Sequence, residues 1–254
     1  MPENLIAFLD TSDGEKIAYK MSAGDPVGES GPTIIWCGGL KSDMEGGKAV
    51  HLHAWAKSRG QAFIRFDYYG HGESTGEFTD GTISRWAADV ARVRDALTNG
   101  PVILVGSSMG GWAALLAAME NTPSVHGLVL INPAPDFTEK LTVAHWTAEQ
   151  IKALEDDGVV YEPSGYEEPY AYSRALIEDG RNRQILDFPI SLTCPVRILQ
   201  GEDDNVVPWT YSKRVFDMLT SRDVTYNLVK GGDHSLSRDS DLKLIEAAIL
   251  GISG

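Results

Sequence analysis

PVILVGSSMGGWAALLAA, residues 101 to 118, reads as a strand, a sharp turn and a helix. Val102, Ile103, Leu104 and Val105 run without polar alternation, as a strand buried on both faces of a parallel sheet should. Met109 to Ala118 is rich in Ala, Leu and Met, which favour helix. Between them Gly106-Ser107-Ser108-Met109-Gly110 fits G-x-S-x-G and puts Ser108 at the bend. A strand that reverses into a helix within one residue brings backbone segments into near contact, so side chains at 106 or 110 would collide. The same bend lifts the Ser108 hydroxyl clear of the sheet and turns the N–H of Met109, at a helix N-terminus, toward any oxygen beside it. That is a candidate nucleophile with half an oxyanion hole. Chance alone produces the bare pattern in roughly one chain in ten of this length, so the flanking strand and helix carry the weight.

Outward from this stretch, apolar strands alternate with helices. Toward the N-terminus, Leu5 to Leu9 and Lys16 to Met21 are expected to form a hairpin at a sheet edge, turning at Asp13-Gly14. A polar loop from Ser22 to Pro32 leads to a strand, Thr33 to Trp36, that ends in Cys37-Gly38-Gly39-Leu40. Two glycines there invite close backbone approach, so this loop is expected to supply the second oxyanion donor, the N–H of Gly39 first and Leu40 next. Ala49 to Ser58 reads as a helix in which His51 and His53, two apart, point in different directions and serve as surface histidines, not metal ligands. Ala62 to Phe66 is a strand followed by the glycine-rich loop Asp67 to Ser74, whose His71 takes a structural role. A helix capped by Ser84 follows, with Trp86, Val90, Val93 and Leu97 on one face, and Asn99-Gly100-Pro101 ends it. Beyond the central stretch, Gly127 to Ile131, Val196 to Gln200 and Thr225 to Val229 complete eight strands. Leu242, Ile245 and Ile249 mark a closing helix. The alternation indicates an α/β fold, a mostly parallel sheet with helices on both faces.

The alternation breaks between Asn132 and Pro189. Glu139 to Asp156 and Glu168 to Asn182 read as helices around a loop-like stretch from Gly158 to Gly165. The expected organisation is a core of residues 1–132 and 189–254 with an inserted helical cap at 133–188. Phe137, Trp146, Tyr161, Tyr166, Tyr170 and Tyr172 in the cap are candidates to line a pocket for an acyl chain or ring, or to pack the cap onto the body.

Composition excludes several classes. A net charge of -14 over 254 residues disfavours nucleic acid and anionic membranes as partners. The start MPENLIAFLD lacks the pattern of a signal peptide and no window approaches 18 uninterrupted apolar residues, so a cytoplasmic protein without a membrane span is expected. Cys37 and Cys194, the only cysteines, are too few for a disulfide framework or a cysteine metal site.

A serine hydroxyl needs an imidazole to take its proton and a carboxylate to orient that ring. Ser108, an acid within 202 to 204, and His234 each follow an expected strand, which sets all three at the carboxyl edge of the sheet. The order Ser, Asp, His is that of the α/β-hydrolases, and the chain resembles that family from about Ile34 to His234. In that resemblance the pattern G-x-x-D-x-x-V-P, met by Gly201, Asp204, Val207 and Pro208, implies Asp204 as the acid, and Asp67 to Ser74 matches D-x-x-G-x-G-x-S. IRFDY (64–68), GSSMGGW (106–112) and VVPW (206–209) look most like the small α/β-hydrolase-domain enzymes known in animal mitochondria as palmitoyl-protein thioesterases and acyl-glucuronide esterases, with bacterial relatives. Cys37-Gly38 stands where the classical α/β-hydrolase pattern has His-Gly before the oxyanion loop.

The resemblance implies an ester or thioester hydrolase with Ser108, His234 and Asp204 as catalytic residues and Met109 and Gly39 as the oxyanion hole. Leu40, Trp112 and Trp209 become candidates for substrate binding, with a small acyl ester or thioester as the partner. Acyl transfer of this kind needs no cofactor and no metal. Hydrolysis of another bond on the same fold, amide, lactone or carbon–carbon, and a non-catalytic small-molecule receptor are the alternatives.

Overall fold

The computed structural model describes residues 5–24, 31–120, 122–164 and 169–253. Its strands, in chain order, are β1 (Ala7–Asp10), β2 (Lys16–Ser22), β3 (Thr33–Cys37), β4 (Phe63–Phe66), β5 (Val102–Ser107), β6 (Val125–Ile131), β7 (Val159–Glu162), β8 (Tyr170–Ser173), β9 (Val196–Gly201) and β10 (Val224–Val229). Eight of them make one sheet in the order β1-β2-β4-β3-β5-β6-β9-β10. Pairing is parallel from β4 through β10, while β1 and β2 form an antiparallel hairpin and β2 runs antiparallel to β4. This is the α/β-hydrolase architecture.

The helices are α1 (Gly47–Ser58), α2 (Ile83–Leu97), α3 (Met109–Glu120), α4 (Ala148–Asp157), α5 (Arg174–Asn182), α6 (Trp209–Met218) and α7 (Asp239–Ser253). Alternate residues of the central strands feed two separate cores, as the two-residue period of a strand requires. Ile34, Trp36, Ile103, Val105, Val129 and Ile131 pack beneath α1 and α7. Ile35, Cys37, Leu104, Leu128 and Leu130 face the other way, into the layer of α2 and α3. The strands read as unbroken apolar runs because both faces are covered.

Two local expectations change. The N-cap of α2 is Thr82, whose hydroxyl accepts the Arg85 N–H at 3.2 Å, and not Ser84. Ser84 instead binds the Asp179 carboxylate through its N–H and its hydroxyl, at 2.8 and 2.7 Å, tying α2 to α5. The segment 133–188 is also not purely helical. After a π-turn (Thr138–Thr142) and a single 3₁₀ turn (Val143–His145), α4 runs from a Thr147–Gln150 capping box to Gly158 in the left-handed region (φ 78°). Strands β7 and β8 then pair antiparallel, so residues 159–162 of the expected loop and residues 170–173 of the expected helix are strand, and α5 begins only at Arg174. Ser173 at the end of β8 caps α5 by accepting the Leu176 N–H at 3.2 Å. Glu168 and Tyr166 lie outside the described residues.

Candidate active site

The turn at Ser108 is as tight as its glycines imply. Ser108 sits at φ 54°, a left-handed conformation that L side chains avoid. A Cβ at 106 would stand 2.6 Å from the Gly110 carbonyl, and one at 110 would collide with the carbonyls of Cys37 and Gly38. Hydrogen bonds hold the bend: Ser108 N–H donates to Ile131 O at 2.9 Å, and Ser108 O accepts from Gly111 and Ala134 at 2.9 and 3.1 Å.

Three side chains then form a continuous chain. Ser108 Oγ is 3.1 Å from His234 Nε2, and His234 Nδ1 is 2.8 Å from Asp204 Oδ2. Asp204 is buried, and its other oxygen accepts the N–H groups of Val206 and Val207, both at 2.8 Å. An acceptor-only carboxylate held this way dictates that Nδ1 carries the ring proton and leaves Nε2 to accept from Ser108. Of the neighbouring acids, Glu202 accepts from Lys230 at 2.5 Å and from the Gly231 N–H at 3.2 Å, while Asp203 lines the cavity beside the triad without a bond to His234 among the described residues.

None of the backbone hydrogen bonds among the described residues uses the N–H of Met109, Gly39 or Leu40. The carbonyl of Gly39 is turned onto Ser42, which donates both its N–H at 3.2 Å and its hydroxyl at 2.7 Å. Gly39 packs against Ser108, a Cβ there lying 3.6 Å from that of the serine.

Ser108, Met109 and His234 open onto a cavity of about 840 Å³. Leu40 and Gly39 line one wall; Phe137, Leu141, Thr142, Glu162, Tyr170 and Tyr172 line the side formed by 133–188. Two of the residues expected to bind substrate do not reach it. Trp112 is fully buried beneath Phe137, with ring centroids 5.8 Å apart, and donates its indole N–H to Arg183 O at 3.3 Å, so it braces a wall residue from behind. Trp209 opens α6 on the outside, where its carbonyl accepts the Tyr226 hydroxyl at 2.9 Å. Among the aromatics of 133–188, Trp146 is buried against Tyr172 and Tyr161 is exposed.

Three other histidines, His51, His53 and His71, are held by neighbouring side chains away from Ser108. His71 is buried, its ring edge-on to Tyr68, Phe78 and Trp86, and its Nε2 accepts the Lys41 N–H at 3.1 Å. Burial pushes its pKa down to about 4. His51 pairs with Glu246 at 2.6 Å, while His53 stacks on Phe63 and accepts from Arg65 Nε at 3.0 Å. Both are partly exposed on α1, each engaged by a neighbouring side chain. Cys37 is a free, buried thiol whose pKa burial raises to about 12.

Sequence reasoning missed three residues beside the site. Lys48 lines the cavity and donates to Ser235 O, with burial lowering its pKa against the pull of Asp233 and Asp241. Ser42 fixes the loop after β3. Asn132, at φ 45°, follows β6 at an Asn-Pro step, a turn signal that says nothing of its partners.

The sequence profile of the alpha/beta hydrolase family matches residues 46–247. The mouse palmitoyl-protein thioesterase ABHD10, mitochondrial, is 38% identical over 251 residues, covering 96% of this chain and 81% of that protein. A solved mouse structure of alpha/beta hydrolase domain-containing protein 10 superimposes with a TM-score of 0.86 at 36% identity, over 97% of each chain. A solved Agrobacterium vitis structure, named as a hydrolase, superimposes with a TM-score of 0.92 at 40% identity, over 99% of this chain and 100% of that one. Among the described residues no helix is long and apolar enough to cross a membrane.

Proposed function

The chain belongs to the alpha/beta hydrolase family, and from that premise we propose that it cleaves carboxylic esters or thioesters through an acyl-enzyme on Ser108. The observation that carries this reading is the unbroken hydrogen-bond chain Ser108–His234–Asp204, at 3.1 and 2.8 Å, facing a cavity. Ser108 gives its proton to His234 Nε2 as Oγ attacks the carbonyl carbon, and Asp204 stabilises the imidazolium that forms. The tetrahedral oxyanion is held by the N–H of Met109 and an N–H of the loop after β3. Gly39 is the first candidate, and the way Ser42 holds the Gly39 carbonyl supports Leu40, whose N–H belongs to that same peptide. His234 then protonates the departing alkoxide or thiolate. Water enters, loses a proton to His234, and releases the acid.

The aromatic and aliphatic wall of Phe137, Leu141, Tyr170 and Tyr172 supports a substrate whose acyl part is a chain or a ring. The thioester class rests on the name of the mouse relative. In this scheme the partner is a small molecule, no cofactor enters, and we keep a cytoplasmic location as the working expectation.

The test is hydrolysis of p-nitrophenyl esters and acyl thioesters of graded chain length by the wild type and by Ser108→Ala. Turnover that falls at least ~10³-fold in the variant supports the reading. Equal turnover in both proteins contradicts it.

A further inference from the structure

We propose that Asn132 is a positioning residue for His234, the clamp that sets the height of the base above Ser108. The inference rests on the triad reading. Asn132 has no exposed surface and stands at the end of β6, between the acid loop after β9 and the loop that carries His234. Its amide is spent wholly on backbone of those two loops. The oxygen accepts the Gly201 N–H at 2.8 Å, and the nitrogen donates to the carbonyls of Asp233 and His234 at 3.1 and 2.7 Å. One N–H on one side and two carbonyls on the other leave only one orientation of the amide that satisfies all three. The backbone N–H of Asn132 is fixed as well, donating to Leu199 O at 2.8 Å.

The consequence is geometric. His234 is reached by a loop, and a loop alone holds a ring less firmly than a strand does. The bond from Asn132 to the carbonyl of His234 itself anchors the residue whose ring must lie between Ser108 and Asp204. Gly201 explains why the anchor can be so short: a Cβ there would lie 2.5 Å from the carbonyls of Gly232 and Asp233, so acid loop and base loop touch at this point. Residue 132 must also accept φ 45°, which Asn tolerates better than most residues. The side chain is buried among backbone groups, so it acts through His234 and not by touching substrate.

Two variants separate its roles. Asn132→Gly keeps the left-handed backbone and removes every side-chain bond. Asn132→Asp keeps an acceptor for Gly201 but turns an oxygen toward two carbonyls. After folding is checked by circular dichroism, kcat and KM on an ester that the wild type hydrolyses, and the rate of phosphonylation by a fluorophosphonate, are measured in both. The expected result is a fall of about 10- to 100-fold in kcat and in phosphonylation rate with KM within a few-fold, and no further loss when either change is added to His234→Ala. Folded variants with wild-type kcat overturn the proposal, as does a full additional loss in the His234→Ala background. Failure of both variants to fold also overturns it, since Asn132 would then serve the fold alone. A wild type that is neither phosphonylated nor active would instead remove the triad reading, and this inference with it.

Discussion

At the scale of single residues, the chemistry hangs on which nitrogen of His234 carries the proton. Asp204 decides it, because a carboxylate whose other oxygen is already filled by the N–H groups of Val206 and Val207 can only accept from Nδ1. An amide at 204 can donate, which stabilises the opposite tautomer and puts a proton on the nitrogen that Ser108 needs. Asp204→Asn should therefore keep the fold and the KM while lowering kcat by about 10³- to 10⁴-fold, measured by steady-state ester hydrolysis. Unchanged kcat would mean that Asp204 does not govern the ring. The acid was legible among its neighbours only through the family spacing Gly201, Asp204, Val207, Pro208, for Glu202 and Asp203 are equally acidic. The tie made by Asn132 was not legible, since its partners are main-chain groups about 70 and 100 residues away.

At the scale of elements, strands buried on both faces announced themselves as apolar runs, and α2 as a helix with Trp86, Val90 and Val93 on its buried face. The hairpin of β7 and β8 did not. Each strand has four residues, lies off the main sheet, and is separated from its partner by a polar stretch, so its Val and Tyr residues looked like a loop between helices. The two tryptophans show a second limit. They sit in the short motifs GSSMGGW and VVPW, yet one belongs to the core and one to the surface. Trp112→Ala should cost about 3–5 kcal/mol of unfolding free energy by leaving a cavity under Phe137. Trp209→Ala should cost under about 1 kcal/mol and leave KM for an acyl ester unchanged. Urea unfolding and steady-state kinetics distinguish them, and a raised KM for Trp209→Ala would place that residue back among the substrate contacts.

At the scale of the whole molecule, two buried groups in the loop after β4 set opposing responses to pH. His71 is held neutral, its pKa lowered from 6.5 to about 4 by burial, so the stability it contributes is full above about 6.5 and is lost as pH falls toward 4. Asp67 is raised from 3.8 to about 6 by burial, so its contribution is full below about 3.8 and is lost as pH rises through 6. Between pH 4 and 6 the two offset each other. His71→Phe keeps a ring in the aromatic box and removes one arm, so relative to the wild type the variant should gain up to about 3 kcal/mol on going from pH 6.5 to 4. Urea unfolding of both proteins at several pH values reads this, and a difference that does not vary with pH contradicts it. The same scale explains why the site was visible in the sequence at all: Ser108, Asp204 and His234 follow β5, β9 and β10, strands that run the same way and end at one edge of the sheet. The central claim is that this edge activates a serine. The most direct measurement is incubation with a fluorophosphonate followed by intact mass spectrometry on the wild type and on Ser108→Ala. One phosphonyl adduct on the wild type and none on the variant is the predicted result. A folded wild type that stays unmodified, or a variant that is modified equally, would contradict the central claim.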